Sequence, residues 1–125
     1  VFERVHFLGF QQDVPKVLAA LDVFVMTSHK EAQGIALVEA MAMRLPSVAI
    51  AVGGVPEVLD ESCGLLLLSR EADGLAKALT GLLDNRELCS SLALAARERQ
   101  RKLFSQQAMT DSALACYVRA QPSSG

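Results

Sequence analysis

Two hydrophobic periods alternate along the first half of the chain. Residues 1–8 alternate apolar and polar positions, and Val5, Phe7 and the pair Leu8-Gly9 read as the end of a strand. Asp13-Val14-Pro15 reads as a helix start, with Val17, Leu18 and Leu21 as its apolar stripe. The short apolar run 23–27, closed by Ser28-His29-Lys30, predicts a buried strand followed by a polar loop. Residues 34–43 are strong helix formers, and Pro46 forces a stop before the β-rich run 47–52. Gly53-Gly54 turns the chain, Pro56 suits the first turn of a short helix, and residues 64–68 predict a fourth strand. Continuous apolar strands separated by helices imply an α/β fold, a doubly wound parallel sheet covered on both faces.

The second half is helical in pattern. Asp73 is placed to cap a helix with the stripe Leu75, Leu79, Leu82 and Leu83, and Asp84-Asn85 breaks it. Leu88, Leu92, Ala95 and Ala96 begin another helix that runs toward Leu103. Ser105 is placed to cap a last one carrying Met109, Ala113, Cys116 and Tyr117. The mixed charges of residues 97–102 read as a solvated face whose cations complement the helix dipole. Residues 1–120 therefore form one domain, and residues 121–125 a linker or tail; no internal repeat is present.

Composition narrows the class. With 51% hydrophobic and 21% charged residues among 125, the chain is an ordinary globular domain rather than a disordered or collagenous one. A net charge of -2 gives no electrostatic grip on a polyanion, which argues against nucleic acid as a partner. No apolar run approaches the roughly 20 residues of a transmembrane helix. Cys63, Cys89 and Cys116 are odd in number and widely spaced, suggesting neither a disulfide framework nor a zinc site, so each reads as a small hydrophobe in a reduced, cytoplasmic setting. The chain begins at Val1, inside the first alternating run, and reads as an N-terminally incomplete piece of a longer chain.

In an open parallel sheet, ligands bind outside the carboxyl ends of the strands, where loops lead into helix N-termini. The loop 28–34 is such a place. It presents Glu31, then Gly34 and Ile35 in the first turn of a helix, then Glu39 within that helix. Five steps at ~1.5 Å put Glu39 about 7 to 8 Å along the axis from Gly34, so two carboxylates face different parts of one extended ligand. Free N–H groups of Gly34 and Ile35, backed by the helix dipole, suit an anionic group between them. Hydroxyls, then phosphates, then hydroxyls describe a nucleotide-activated sugar. Glu39 also lies on an otherwise apolar helix, where an unpaired carboxylate would be costly.

Residues 28–51, SHKEAQGIALVEAMAMRLPSVAIA, followed by GGVPEV from Gly53, resemble the C-terminal domain of the glycosyl transferases group 1 family, retaining enzymes of the two-Rossmann (GT-B) kind. The resemblance implies a Rossmann-like domain that binds a nucleotide-sugar donor. An acceptor-binding domain and the basic residues for the diphosphate would lie upstream of Val1. It implies that Glu31 contacts the transferred sugar and helps stabilise the reacting centre, as the catalytic residue of this chain. Gly34 and Ile35 would offer backbone donors to the sugar and distal phosphate, and Glu39 would hold the ribose hydroxyls. It further implies metal-independent transfer without a cofactor, in a cytoplasmic enzyme open to peripheral attachment at the inner membrane face.

Glu57 and the Gly53-Gly54 turn match the family too, as turn and helix-start chemistry or as part of the cleft. Three positions depart from the family: Ala32 and Gln33 stand where Gly and Phe are common, and Arg44 stands where Gly is usual. Arg44 at a left-handed helix cap would cost up to about 1 kcal/mol relative to Gly. His29 reads as a solvated loop residue or a site residue, and Lys30 as a phosphate-facing cation or a surface partner of Glu31. Two rival functions stay open: a nucleotide-sugar epimerase of the same fold, and a non-catalytic nucleotide-sugar-binding domain.

Overall fold

The computed structural model describes residues 2–120. Three strands, β1 (Phe24–Met26), β2 (Ser47–Ile50) and β3 (Leu65–Leu67), form a parallel sheet in that order, with Val25 opposite Val48 and Ala49 opposite Leu66. Helix α1 (Val14–Ala19) precedes β1. Helix α2 (Ile35–Ala42) links β1 to β2, and the four-residue α3 (Val55–Val58) links β2 to β3. Helices α4 (Ala72–Asp84), α5 (Arg86–Leu103) and α6 (Gln106–Ala120) follow.

The sheet is covered on both faces, as parallel strands require. Met26 and Ala49 pack with Leu37 and Met41 of α2, Val55 and Val58 of α3, and Ala96 of α5. On the other face Val48 packs with Leu82 of α4 and Leu92 of α5. All four residues of β2 are buried, because it is the central strand. Ser47, the one polar residue there, donates its hydroxyl to the Leu45 carbonyl at 3.1 Å.

Local signals set the helix ends. Asp13 accepts from the Lys16 N–H, Asn85 from the Leu88 N–H at 2.9 Å, and Ser105 from the Ala108 N–H at 3.1 Å. At the end of α2 the Leu45 N–H bonds the Ala40 carbonyl and the Arg44 N–H the Met41 carbonyl. Leu45 then folds back onto Ala40 and Leu18. That closure needs a left-handed residue, and Arg44 supplies it at φ 59°.

Several expectations are corrected. Residues 5–8 form no strand: a short 3-10 helix (Phe2–Arg4) and irregular backbone stand there, and Phe7 is 93% exposed. An alternating run becomes a strand only when a neighbour takes its N–H and C=O groups, and no described strand lies beside this one. The sheet therefore has three strands rather than four. For the same reason β1 is an edge strand with Val25 exposed, not a fully buried one. Leu21 lies beyond the end of α1, and Leu83 sits about 100° around α4 from the buried Leu82; both are exposed. Asp73 is inside the first turn of α4, after Glu71 as the cap residue, and provides no cap. The stripe of α6 buries nothing, so Met109, Ala113, Cys116 and Tyr117 stay at the surface. Cys63 alone among the cysteines is a core residue, and burial pushes its thiol up from the ordinary value. The tail read over residues 121–125, and Val1, lie outside the described residues.

Candidate functional site

The loops that leave the carboxyl ends of the three strands meet. Gly54, after β2, donates its N–H to the Glu31 carbonyl, after β1, at 3.1 Å. Arg70, after β3, reaches past the end of the central strand to the β1 loop. Its guanidinium lies 2.9 Å from His29 Nδ1 and donates to the His29 carbonyl at 3.0 Å. A guanidinium only donates, so Nδ1 is the accepting nitrogen and the imidazole proton sits on Nε2. His29 is thus held, not merely solvated. Lys30 is exposed and makes no ion pair with Glu31.

Glu31 is half-buried at the N-terminus of α2. Its Oε1 accepts from the Gly34 N–H at 3.0 Å and from the Gln33 N–H at 3.4 Å. This corrects the expectation that the Gly34 N–H is free for a ligand, because the Glu31 carboxylate already occupies it. Gly34 is the cap residue ahead of α2 rather than part of its first turn. It is buried and left-handed at φ 78°, which selects glycine through backbone sterics; a Cβ there would meet only ordinary contacts. Ile35 opens the helix with its side chain exposed.

Glu39 is exposed. The buried residues of α2 are Leu37, Ala40 and Met41, and Glu39 is turned about 200° from Leu37, on the opposite side of the helix. The expected cost of an unpaired carboxylate among apolar neighbours therefore does not arise. The structure keeps Glu31, Gly34, Ile35 and Glu39 on one short unit of loop and helix, with Glu31 bonded to Gly34 at its start.

The Gly53-Gly54 turn is part of this unit. A Cβ on Gly53 would run into the Glu31 carbonyl, and one on Gly54 into that of Ala32. The turn's sequence is the signal of a close backbone approach, here to the Glu31 loop. Glu57 is exposed on α3. Beside the unit, Ile35, Val38, Leu103, Phe104 and Met109 line an apolar groove of about 560 Å³ with Gln33 at its rim.

Two residues escaped sequence reasoning. Arg70 could have been found, since it closely follows a parallel strand's carboxyl end. Arg99 was placed in a solvated charge run, yet it pairs with Asp60 at 2.7 Å and donates to the carbonyls of Val58 and Glu57 at 2.8 and 2.9 Å. Contacts about forty residues apart leave no local trace. Among the described residues, no three His, Cys, Asp or Glu gather as a metal-binding group, and no helix is long and apolar enough to cross a membrane.

The fold and the loop-helix unit define a Rossmann-like domain with its candidate site at the carboxyl edge of the sheet. The family profile described as "Glycosyl transferases group 1" matches residues 1–85, and the chain belongs to that family. It is 37% identical over 111 residues to the N-acetyl-alpha-D-glucosaminyl L-malate synthase of Bacillus anthracis, covering 83% of this chain and 29% of that protein. It is 38% identical over 124 residues to the D-inositol 3-phosphate glycosyltransferase of Mycobacterium marinum, covering 96% of this chain and 27% of that one. Among solved structures, Anabaena HepE in complex with UDP and glucose superposes with a TM-score of 0.80 and 29% identity, over 90% of this chain and 32% of that chain. The chain thus spans under a third of the length of these relatives, and its fold is that of a GT-B C-terminal domain.

Proposed function

We propose that this domain binds the nucleotide-sugar donor of a retaining glycosyltransferase, with the acceptor held by a further domain of the same polypeptide. The Glu31 carboxylate at the N-terminus of α2 supports this reading most. Its Oε1 is taken by backbone N–H groups, which fixes the group so that Oε2 is aimed by the loop and not by solvent. In the proposed reaction the bond between the anomeric carbon and the diphosphate oxygen breaks with its electron pair leaving on the diphosphate, and the acceptor hydroxyl oxygen bonds the same carbon from the same face and gives its proton to that diphosphate. Glu31 holds hydroxyls of the transferred sugar and faces the positive charge that grows on the ring. The helix N-terminus, through Ile35 and the positive end of the α2 dipole, favours the departing phosphate. Glu39, farther along α2 and exposed, accepts from both ribose hydroxyls. Positioning supplies most of the rate, and no metal is assigned a role. The complexes of HepE with UDP and glucose or UDP-glucose agree with a nucleotide-sugar donor.

The test is to incubate the whole polypeptide carrying this domain with labelled UDP-, GDP- and ADP-sugars, with and without EDTA. Transfer with retained anomeric configuration is expected, and EDTA is expected to leave it intact. Glu39→Gln is expected to raise the donor KM with a smaller effect on kcat. Isomerisation of the donor without transfer, or binding alone, would replace the reading with an epimerase or a binding module. A wild-type KM in Glu39→Gln would remove the ribose assignment.

A further inference from the structure

Helix α3 has four residues, too few to stand by its own hydrogen bonds. Its first end is the Gly53-Gly54 turn, in backbone contact with Glu31 and Ala32. At its other end lie the carbonyls of Glu57 and Val58, and both are taken by one side chain. Arg99 Nη2 donates to the Glu57 carbonyl and Nε to that of Val58, while Nη1 pairs with Asp60 just beyond the helix. Arg99 belongs to α5, which also packs along α2. One helix therefore supports both walls of the candidate site: α2 directly, and the Gly53-Gly54 turn through the Arg99 fork and α3.

We infer that Arg99 is a positioning residue, which sets the place of the Glu31 loop by gripping the far end of α3. The inference rests on the reading of Glu31 as the sugar-facing carboxylate. Three donors used on two carbonyls and a carboxylate suit a planar guanidinium and not an ammonium, so charge alone does not explain the residue. Arg99 is also three-quarters shielded, unlike its neighbours Glu98, Arg101 and Lys102 in the same run. Loss of the grip frees α3 to shift along its axis, and the turn and the Glu31 carbonyl bonded to it shift with it.

The experiment uses the whole polypeptide and two readouts. Hydrogen–deuterium exchange in Arg99→Ala is expected to rise about tenfold or more over residues 31–34 and 53–55, while β2 exchanges as in the wild type. Unchanged exchange in those segments, or an equal rise in β2, would overturn the inference. Should Arg99→Ala not fold, Arg99→Lys is judged by the same segments. Transfer kinetics supply the second readout. Arg99→Ala is expected to lower kcat about tenfold in the wild type and by almost nothing in a Glu31→Ala background, because the effect passes through Glu31. Equal losses in both backgrounds would overturn that route. Full activity of Glu31→Ala alone would instead strike the functional reading, and the exchange data would still decide whether Arg99 holds the loop.

Discussion

The amide of Gly54 donates to the carbonyl oxygen of Glu31 at 3.1 Å, so the turn after the central strand is stitched to the loop that carries the candidate sugar-facing carboxylate. Neither residue of the Gly53-Gly54 pair has room for a side chain, since the Glu31 and Ala32 carbonyls fill the space. The turn and the Glu31 loop are therefore joined by backbone contact, and the side chains of Glu31, Arg70 and Arg99 brace that junction.

Gly53→Ala is expected to injure both stability and binding. Gly53 is left-handed at φ 52°, which costs an L-residue about 1–2 kcal/mol before the clash with Glu31 is counted. Urea unfolding is expected to show a loss of at least about 2 kcal/mol. Donor affinity is expected to fall with it. A variant as stable as the wild type would mean that the turn and the Glu31 loop part easily.

Arg44→Gly is expected to act in the opposite direction. The closure of α2 puts Arg44 at φ 59°, and its N–H is bonded to the Met41 carbonyl. Relief of the left-handed strain, about 1–2 kcal/mol, exceeds the unfolded-state entropy that glycine adds, about 0.5–1 kcal/mol. A net gain of about 0.5–1 kcal/mol is the expected outcome in thermal or urea unfolding. Donor binding is expected to stay unchanged, since the residue caps the far end of α2. A neutral or destabilised variant would show that the arginine contributes contacts of its own.

Features written in short stretches of sequence were legible, and the reason is physical. Asp13 and Ser105 cap helices through residues three positions away, and α2 closes through the bonds of Arg44 to Met41, three positions back, and of Leu45 to Ala40, five back. Each needs nothing from the rest of the fold. The carboxyl edge of the sheet as the candidate site follows from strand direction alone, and it drew attention to Glu31, Gly34 and Ile35. Two of the failures need a distant partner. Residues 5–8 alternate correctly but have no described strand beside them, and Arg99 looked solvated because Asp60 and the end of α3 are about forty positions away. Glu39 shows a second kind of failure: its neighbours in sequence are apolar, but its angle on the helix, not its neighbours, decides its exposure.

On the proposed reading Glu31 has two separable duties, and two substitutions divide them. As an acceptor for the Gly34 and Gln33 N–H groups it holds the loop ahead of α2, worth about 1 kcal/mol. As a charge facing the reacting sugar it is expected to be worth a factor of roughly 100 or more in kcat. Glu31→Ala is expected to lose both. Glu31→Gln keeps an acceptor oxygen and removes the charge, so it is expected to restore stability and leave turnover low. Restoration of both by Gln would reduce Glu31 to a structural support of its loop.

The Asp60 carboxylate ties the pH dependence of stability to the support of α3. Its carboxyl titrates below the ordinary aspartate range, chiefly because the Ser62 hydroxyl donates to it. Partial burial opposes the shift, while the Ser62 N–H at 2.9 Å and the Arg99 guanidinium at 2.7 Å add to it. In the window between the folded and unfolded values the unfolded chain binds the extra proton, so stability rises with pH there. The contribution is fully present above the ordinary aspartate value of about 3.9 and is lost as the pH falls through the depressed folded value. Because the carboxylate is 42% exposed, solvent screening holds its worth below about 1 kcal/mol. Asp60→Asn keeps the shape and removes the charge. It is expected to be less stable than the wild type in urea at about pH 7 and to approach it as the pH falls through the depressed folded value, where the wild-type carboxyl is neutral too. A gap that keeps its size as the pH falls would assign the stabilisation to shape and hydrogen bonding rather than to charge.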